Sequence, residues 1–212
     1  MHLAEELQRR GAKVVLAGRD PDRLVANASA LGPETRSVIF DIRDPSHASH
    51  VVTTAASMLG GLDGIINASG VVAFGGLEDL TDAVLDELVA ADFTGPLRVM
   101  RAALPILGEG FFVNITGVVA EQPMAGVAAY SAVKAGLSAA TLALGRELRR
   151  RKITVLDARP PHTETGLADR PIGGEAPKFP EGLQPALVAR VILDGLADGL
   201  RELPAAAFTS AA

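Results

Sequence analysis

Tyr130-Ser131-Ala132-Val133-Lys134 begins the stretch from which the fold and function of this 212-residue chain are inferred. The apolar residues that follow recur at helical spacing and predict a long buried helix. They are Val133, Leu137, Ala140, Leu144 and Leu148. Residues four apart lie on one face of a helix, so the Tyr130 phenol and the Lys134 ammonium are expected to be neighbours. A fixed cation favours the ionised phenol, and the pair therefore predicts a proton donor and acceptor usable near neutral pH.

The alternative for such a spacing is a solvated pair on the helix surface. Tyr130 is the only tyrosine in the chain, and its flanking residues favour the chemical interpretation.

Short apolar runs alternate with segments of helical periodicity along the whole chain. The predicted strands are residues 12–17, 36–40, 62–67, 110–115 and 153–158, and a long helix is predicted over 81–104. This alternation predicts one α/β domain over residues 1–212, a doubly wound parallel sheet in three α/β/α layers. The segment 161–184, rich in proline and without periodicity, is expected to be a substrate loop or lid. Residues 203–208 are expected to form a terminal edge strand, followed by a tail at 209–212.

Composition excludes several classes of protein. A net charge of −5 gives no reason to expect nucleic acid or an anionic membrane as a partner. The chain has no cysteine, which rules out disulfides and thiolate metal sites. It has no apolar run long enough to span a membrane and nothing like a signal peptide, so a cytoplasmic location is expected.

The string Ala129–Leu137 resembles the active-site helix of the short-chain dehydrogenase/reductase family, and further segments match that family in order. The resemblance implies a Rossmann-like fold and an oxidoreductase that interconverts a carbonyl and a secondary alcohol by hydride transfer. It further implies a small-molecule substrate and NADP or NAD as cofactor. The apolar helices at 81–104 and 128–150 resemble the pair that forms the family's dimer and tetramer core, which implies a homodimer or homotetramer.

The resemblance assigns the catalytic roles residue by residue. Tyr130 passes the proton, and Lys134 lowers its pKa and holds the cofactor ribose. The family's catalytic serine corresponds to Gly117, so Thr116 is the nearest hydroxyl that could steady the substrate oxygen. Asp92 stands where the family has an asparagine that shapes the surroundings of the lysine.

The residues implied to bind the cofactor follow the predicted strands. They are Arg19, Asp41, Asn67, Gly70, Tyr130, Lys134, Thr163 and Thr165. An arginine at the position of Arg19 accommodates the 2′-phosphate of NADP, which indicates a preference for NADP(H). The pairs His162/Glu164 and His47/His50 each lack a third ligand, so no metal site is expected.

The family's first strand and glycine-rich phosphate turn have no counterpart in the sequence. That strand is expected to lie between the strand ending at Ala17 and the one ending at Asn67, and without the turn dinucleotide affinity is expected to fall. Three explanations are open. The first is that the start is misplaced by roughly 15–20 residues. The second is that the strands close up, or that a partner supplies the missing edge. The third is that the chain is a relative that has lost catalysis.

The alternative function is a non-catalytic homologue that serves as an oligomerisation or interaction scaffold. A hydrolase is disfavoured because the sequence lacks an Asp, His and Ser order on suitable turns.

Overall fold

Parallel strands in two sheets form the centre of the molecule, whose computed structural model describes residues 1–210. The first sheet pairs β1 (Val15–Gly18) with β2 (Arg36–Ile39). The second has the order β3 (Gly64–Asn67), β4 (Gly110–Ile115), β5 (Ile153–Ala158) and β6 (Glu202–Leu203). Every pairing among these strands is parallel, which confirms the predicted α/β class.

Helices connect the strands and cover the sheets. They are α1 (His2–Arg9), α2 (Pro21–Leu31), α3 (His47–Leu59), α4 (Asp82–Val89), α5 (Gly95–Ala103), α6 (Ala128–Glu147), α7 (Pro185–Ala197) and α8 (Ala205–Thr209). A wide π turn, Ala90–Thr94, joins α4 to α5, so the helix predicted over 81–104 is nearly continuous. The Thr81 hydroxyl caps α4 by accepting from the Val84 amide. None of the helices in residues 1–210 combines the length and apolar character needed to cross a membrane.

Alternating side chains on β4 and β5 build a core on each face of the second sheet. Phe112 pairs with Val155 in register, and both join the cluster packed under α3, α5 and α6. Their neighbours Val113 and Leu156 point the other way and join the cluster with α7 and α8. Because side chains alternate along a strand, a sheet buried on both faces needs apolar residues at successive positions, and the sequence supplies them.

A gap in hydrogen bonding separates the two sheets. β1 pairs only with β2 and β3 only with β4, so in the described chain no strand lies between β1 and β3. The gap falls where the sequence predicted it, and the idea that the strands close up is wrong for this structure. Val15 and Ile65 pack instead against the same apolar cluster under α3 and α5, which holds the two sheets without a ladder between them.

Three other expectations need correction. β1 is half-exposed rather than buried, because it has one neighbouring strand instead of two. The terminal edge strand is only β6, and the residues after Pro204 form α8, which ends at Thr209 of the predicted tail. Residues 211 and 212 lie outside the described chain.

The predicted lid, 161–184, has no helix or strand of its own and is tied down by isolated backbone bonds. The Phe74 amide donates to the Gly173 carbonyl at 2.9 Å, and the Ile172 amide donates to the Val72 carbonyl at 2.8 Å. The Leu183 amide closes the base of the loop by donating to the His162 carbonyl at 2.8 Å. The first two bonds attach the lid to the segment that follows β3, beside the strand ends.

Candidate active site

The residues expected to form the site follow the carboxyl ends of the strands. Arg19 follows β1, Asp41 comes shortly after β2, Asn67 ends β3 and Thr116 follows β4. In parallel sheets this edge collects ligands, because loops from distant parts of the sequence meet there. Two groups of contacts form at this edge, one around Lys134 and one around Arg19.

Tyr130 and Lys134 lie together in the first turns of α6. The Lys134 Nζ is 5.7 Å from the centroid of the Tyr130 ring, within the range of a favourable cation–π contact. Lys134 is only 4% exposed, and its ammonium donates to the Ile115 carbonyl at 3.2 Å. The neighbourhood predicted from the spacing of the two residues is therefore present.

Asp92 completes this group from the π turn between α4 and α5. Its carboxylate is fully buried, and one oxygen lies 3.7 Å from the Lys134 Nζ. That oxygen also accepts from the Val71 amide at 3.1 Å. Among the described residues the second oxygen has no hydrogen-bond partner. The wider π turn places this side chain inside the helix pair, as such turns often do at functional sites.

The backbone passes close to this ion pair at Gly70. A methyl group at Gly70 would lie 2.9 Å from the Asp92 carboxylate oxygen and 3.4 Å from the Lys134 Nζ. Since both partners are buried, neither can move away easily. A residue without a side chain is therefore required at this position.

Burial and charge together set the pKa values of the three groups. Burial raises the pKa of Asp92, although the Lys134 cation and the Val71 amide offset part of the rise. Burial lowers the pKa of Lys134, but Asp92 and the Tyr130 phenol outweigh it, and the net pKa is raised. Lys134 is therefore a stable ammonium at neutral pH.

The pKa of Tyr130 is raised above its ordinary value of 10.0, chiefly by burial. Lys134 acts in the expected direction and lowers it, but the Asp92 carboxylate raises it again. Lys134 therefore acts on the phenol in the predicted direction, but burial outweighs it and the net pKa is raised. The phenol is protonated at neutral pH, which suits a proton donor.

Thr116 directs its hydroxyl into the protein. The residue is fully buried, and its Oγ1 donates to one oxygen of Asp157 at 2.6 Å. Ser138, one helical turn beyond Lys134, donates to the other oxygen of Asp157 at 2.6 Å. The role predicted for Thr116 stays a prediction, and in this structure its proton is engaged by a buried carboxylate.

Gly117, at the position of the family serine, has a backbone that favours glycine. Its φ of +80° lies in the left-handed region, where a side chain is strained. A serine at this position would need a different turn after β4.

The Tyr130 ring packs against an apolar wall. Its members come from the segment after β3, the loop before α6 and the lid, and they are Val72, Phe74, Val118, Val119, Val127, Leu167, Ala168 and Phe179. Phe179 stacks on His162 with ring centroids 4.7 Å apart, which fixes this part of the lid. The lid therefore adds apolar side chains near Tyr130.

The second group is a cluster of two arginines and two carboxylates. Arg43 makes a bidentate pair with Asp41 and donates to Glu87 at 2.8 Å. Arg19 lies 3.7 Å from the same Glu87 oxygen. The hydrogen bonds from Arg43 hold the pKa of Asp41 at about 2, well below its usual range.

The other predicted residues are described by their own contacts and exposure. The Asn67 amide donates to Asn114 at 3.3 Å. On the lid, the Thr163 hydroxyl donates to the Pro161 carbonyl at 2.8 Å, and Thr165 is exposed. Their cofactor roles stay predictions. No three potential ligands within residues 1–210 converge as a metal site would require.

Four residues that contact these groups were not predicted as site residues from the sequence. Arg43 and Glu87 meet across 44 residues of chain, and no local spacing indicates their contact. Asp157 is likewise joined to Thr116 only through the sheet. Ser138 alone carried a signal, because it lies four residues after Lys134 on the same helix face.

The residues present fit two parts of a nicotinamide dinucleotide. The buried Lys134 ammonium is a donor that would hold a ribose hydroxyl, and the exposed Arg19 guanidinium is a cation that would hold a ribose phosphate.

Fold and site together define a Rossmann-like domain in which a partly exposed tyrosine lies beside a buried lysine at the carboxyl edge of the sheet. The family model described as short chain dehydrogenase matches residues 1–172. The chain belongs to this family.

Named relatives agree with this assignment. A putative ketoacyl reductase of the monensin polyketide synthase from Streptomyces virginiae is 30% identical over 184 residues, which cover 83% of this chain and 70% of the relative. A short-chain dehydrogenase from Sphingobium yanoikuyae in complex with NADPH has a TM-score of 0.85 at 25% identity, covering 96% of this chain and 82% of its own. A 3-ketoacyl-(acyl-carrier-protein) reductase from Brucella melitensis complexed with NADH has a TM-score of 0.83 at 25% identity, covering 92% and 84%.

Proposed function

We propose that this protein is an NADP(H)-preferring oxidoreductase that interconverts a small-molecule carbonyl compound and a secondary alcohol. The observation that carries the proposal is the Tyr130 ring 5.7 Å from a buried ammonium, at the edge of the sheet where family members act. Relatives solved with NADPH and with NADH support a nicotinamide cofactor. Arg19 after β1 supports NADP(H) over NAD(H).

Each residue of the first group has a distinct task. Tyr130 donates its phenolic proton to the substrate oxygen during reduction and recovers it during oxidation. Lys134 holds a positive charge beside the phenol and a ribose, and Asp92 fixes the Lys134 ammonium by a buried ion pair. A bound nicotinamide supplies or accepts the hydride. Thr116 can steady the substrate oxygen only by releasing its hydrogen bond to Asp157.

The wall around Tyr130 indicates the substrate class. The lid residues that pack against the same wall as Tyr130 are Leu167, Ala168 and Phe179, all apolar. We infer that the carbonyl carries aliphatic or aromatic substituents rather than charged ones, since a charge placed there would be buried without a partner.

Two measurements test the proposal. Isothermal titration calorimetry with NADPH and NADH measures whether the chain binds a dinucleotide without a glycine-rich turn. Loss of NADPH absorbance in the presence of ethyl acetoacetate, cyclohexanone or acetophenone then measures turnover. We expect binding of NADPH and reduction of at least one of these ketones, and a chain that binds neither dinucleotide would contradict the proposal.

An apolar groove between α5 and α6 supports a second proposal, that the chain forms a homodimer or homotetramer. The groove is lined mainly by Leu97, Met100, Leu104, Ala140, Ala143 and Leu144. Such a groove suits a second copy of the same helix pair, as the sequence resemblance implies. If the protein acts only as a scaffold, this surface is its functional site.

Light scattering after size-exclusion chromatography separates the two uses of the molecule. Ala143→Arg places an exposed charge in the groove and should yield monomers, whereas Tyr130→Phe should leave the assembly intact. If the protein is only a scaffold, Ala143→Arg abolishes its assembly and Tyr130→Phe has no effect. If it is an enzyme, Tyr130→Phe abolishes turnover.

A further inference from the structure

Glu87 lies between the two arginines of the second group. Its Oε1 accepts from Arg43 at 2.8 Å and lies 3.7 Å from Arg19. Arg43 is also bound on its other edge by the bidentate contact with Asp41. Each guanidinium at this edge of the first sheet therefore has a carboxylate beside it.

The two contacts of Glu87 differ in strength. The Arg43 contact is a hydrogen-bonded ion pair, whereas the Arg19 contact is longer than a hydrogen bond. The Arg19 side chain is 54% exposed, so its donors remain accessible to a ligand. An anion that reaches Arg19 can therefore accept hydrogen bonds from its guanidinium, and the Glu87 carboxylate lies only 3.7 Å from that guanidinium.

The anion expected to bind at Arg19 is a phosphate monoester. An arginine after a strand of a dinucleotide fold accommodates the ribose 2′-phosphate of NADP, which NAD lacks. Glu87 opposes that phosphate in two ways. It repels the phosphate as a like charge, and it already neutralises part of the charge on Arg19 and Arg43.

We propose that Glu87 competes with the 2′-phosphate of NADP for Arg19 and Arg43, and so reduces the discrimination between NADPH and NADH below what Arg19 alone would give. The inference rests on the proposed function, because it takes the adenosine end of the dinucleotide to lie beside Arg19. Glu87 is a specificity residue in this scheme and takes no part in proton transfer.

Three variants isolate the charge of Glu87. Glu87→Gln removes the charge and keeps the shape, Glu87→Asp keeps the charge, and Asp86→Asn removes an exposed carboxylate from the adjacent position of α4. Glu87 is part-exposed, so the folded state should tolerate these changes, and thermal melts check this. The dissociation constants of NADPH, NADH and 2′,5′-ADP are measured by calorimetry for each protein.

We expect Glu87→Gln to tighten NADPH and 2′,5′-ADP about five-fold and to change NADH by less than about two-fold, the scale of one exposed charge pair. The gain should shrink at high salt, because exposed charges are screened. Glu87→Asp and Asp86→Asn should keep the wild-type ratio of NADPH to NADH affinity.

The outcomes separate this inference from the proposed function. If NADPH and NADH bind and Glu87→Gln changes both equally or neither, the role of Glu87 is wrong while the cofactor assignment survives. If neither dinucleotide nor 2′,5′-ADP binds to any of the proteins, both proposals are overturned together.

Discussion

The Lys134 ammonium nitrogen lies 3.7 Å from a carboxylate oxygen of Asp92, and both side chains are buried. Because the pair is buried, the Asp92 carboxylate offsets part of the positive charge that Lys134 presents to nearby groups. In a pair with a carboxylate, Lys134 has less influence on the Tyr130 phenol than a lone ammonium has. The proton chemistry proposed for this site thus depends on a residue that does not face the substrate.

The first prediction concerns the Tyr130 phenol itself. In Asp92→Asn the negative charge that opposes the phenolate is gone, so the pKa of Tyr130 should fall. The groups that face the phenol with charge are Lys134 and Asp92, and the apolar wall adds none. Tyr130 is the only tyrosine and the chain has no tryptophan, so the ultraviolet absorbance of tyrosinate reports this group directly.

Asp86→Asn is the control for the loss of one negative charge, since Asp86 is exposed on α4. An unchanged tyrosinate titration in Asp92→Asn would show that the buried carboxylate does not affect the pKa of Tyr130.

The second prediction tests the ion pair as a source of stability. Lys134→Met leaves the Asp92 carboxylate buried without its cation, which should lower the free energy of unfolding by about 3 kcal/mol. Adding Asp92→Asn removes the stranded charge and should recover more than half of that loss. Urea unfolding of the two single variants and the double variant gives the coupling energy, and additive losses would mean that the pair does not interact.

Thr116 is tested against a matched neighbour. Thr116→Val and Ser138→Ala each remove a hydroxyl that donates at 2.6 Å to one oxygen of Asp157. Each should lower the free energy of unfolding by about 2 kcal/mol, since each leaves a buried acceptor unsatisfied. If Thr116 is structural in the same way as Ser138, ketone reduction falls equally in the two variants. A much larger loss in Thr116→Val would restore the predicted catalytic role.

The contact between Asp41 and Arg43 predicts a specific acid sensitivity. The pKa of Asp41 is about 2 in the folded protein against 3.8 for the free side chain. Because the folded pKa is depressed, the stabilisation is fully present above pH 3.8 and is lost as the pH falls through about 2. Asp41→Asn should therefore lower stability by about 1 kcal/mol at neutral pH and flatten its acid limb.

Thermal melts across the acid range measure this effect, with the exposed Asp22→Asn as control. An acid limb in Asp41→Asn as steep as that of the wild type would contradict it.

How much of this could be foreseen depends on the range of the interaction. The i,i+4 spacing of Tyr130 and Lys134 placed them together without a structure, and alternating strands and helices gave the parallel sheet. The net pKa of Tyr130 could not be foreseen, because it depends on how deeply the lid and the loop before α6 bury the ring. Neither could the partner of Thr116, since Asp157 is brought to it only by the pairing of β4 with β5.

The gap between β1 and β3 was also only partly predictable from the sequence. The absence of a glycine-rich turn in the sequence predicted where the sheet would be interrupted. Whether the strands on either side would close up was a question of packing, and Val15 and Ile65 show that a shared core can hold them apart.

The central claim is that Tyr130 exchanges a proton with the substrate of a nicotinamide-dependent reaction. Its most direct test is the rate of NADPH-dependent ketone reduction by the wild type and by Tyr130→Phe, with NADPH affinity measured on both. Our account predicts a rate reduced at least about a hundred-fold in Tyr130→Phe with NADPH affinity little changed. A Tyr130→Phe variant that reduces the same ketone as fast as the wild type would contradict it.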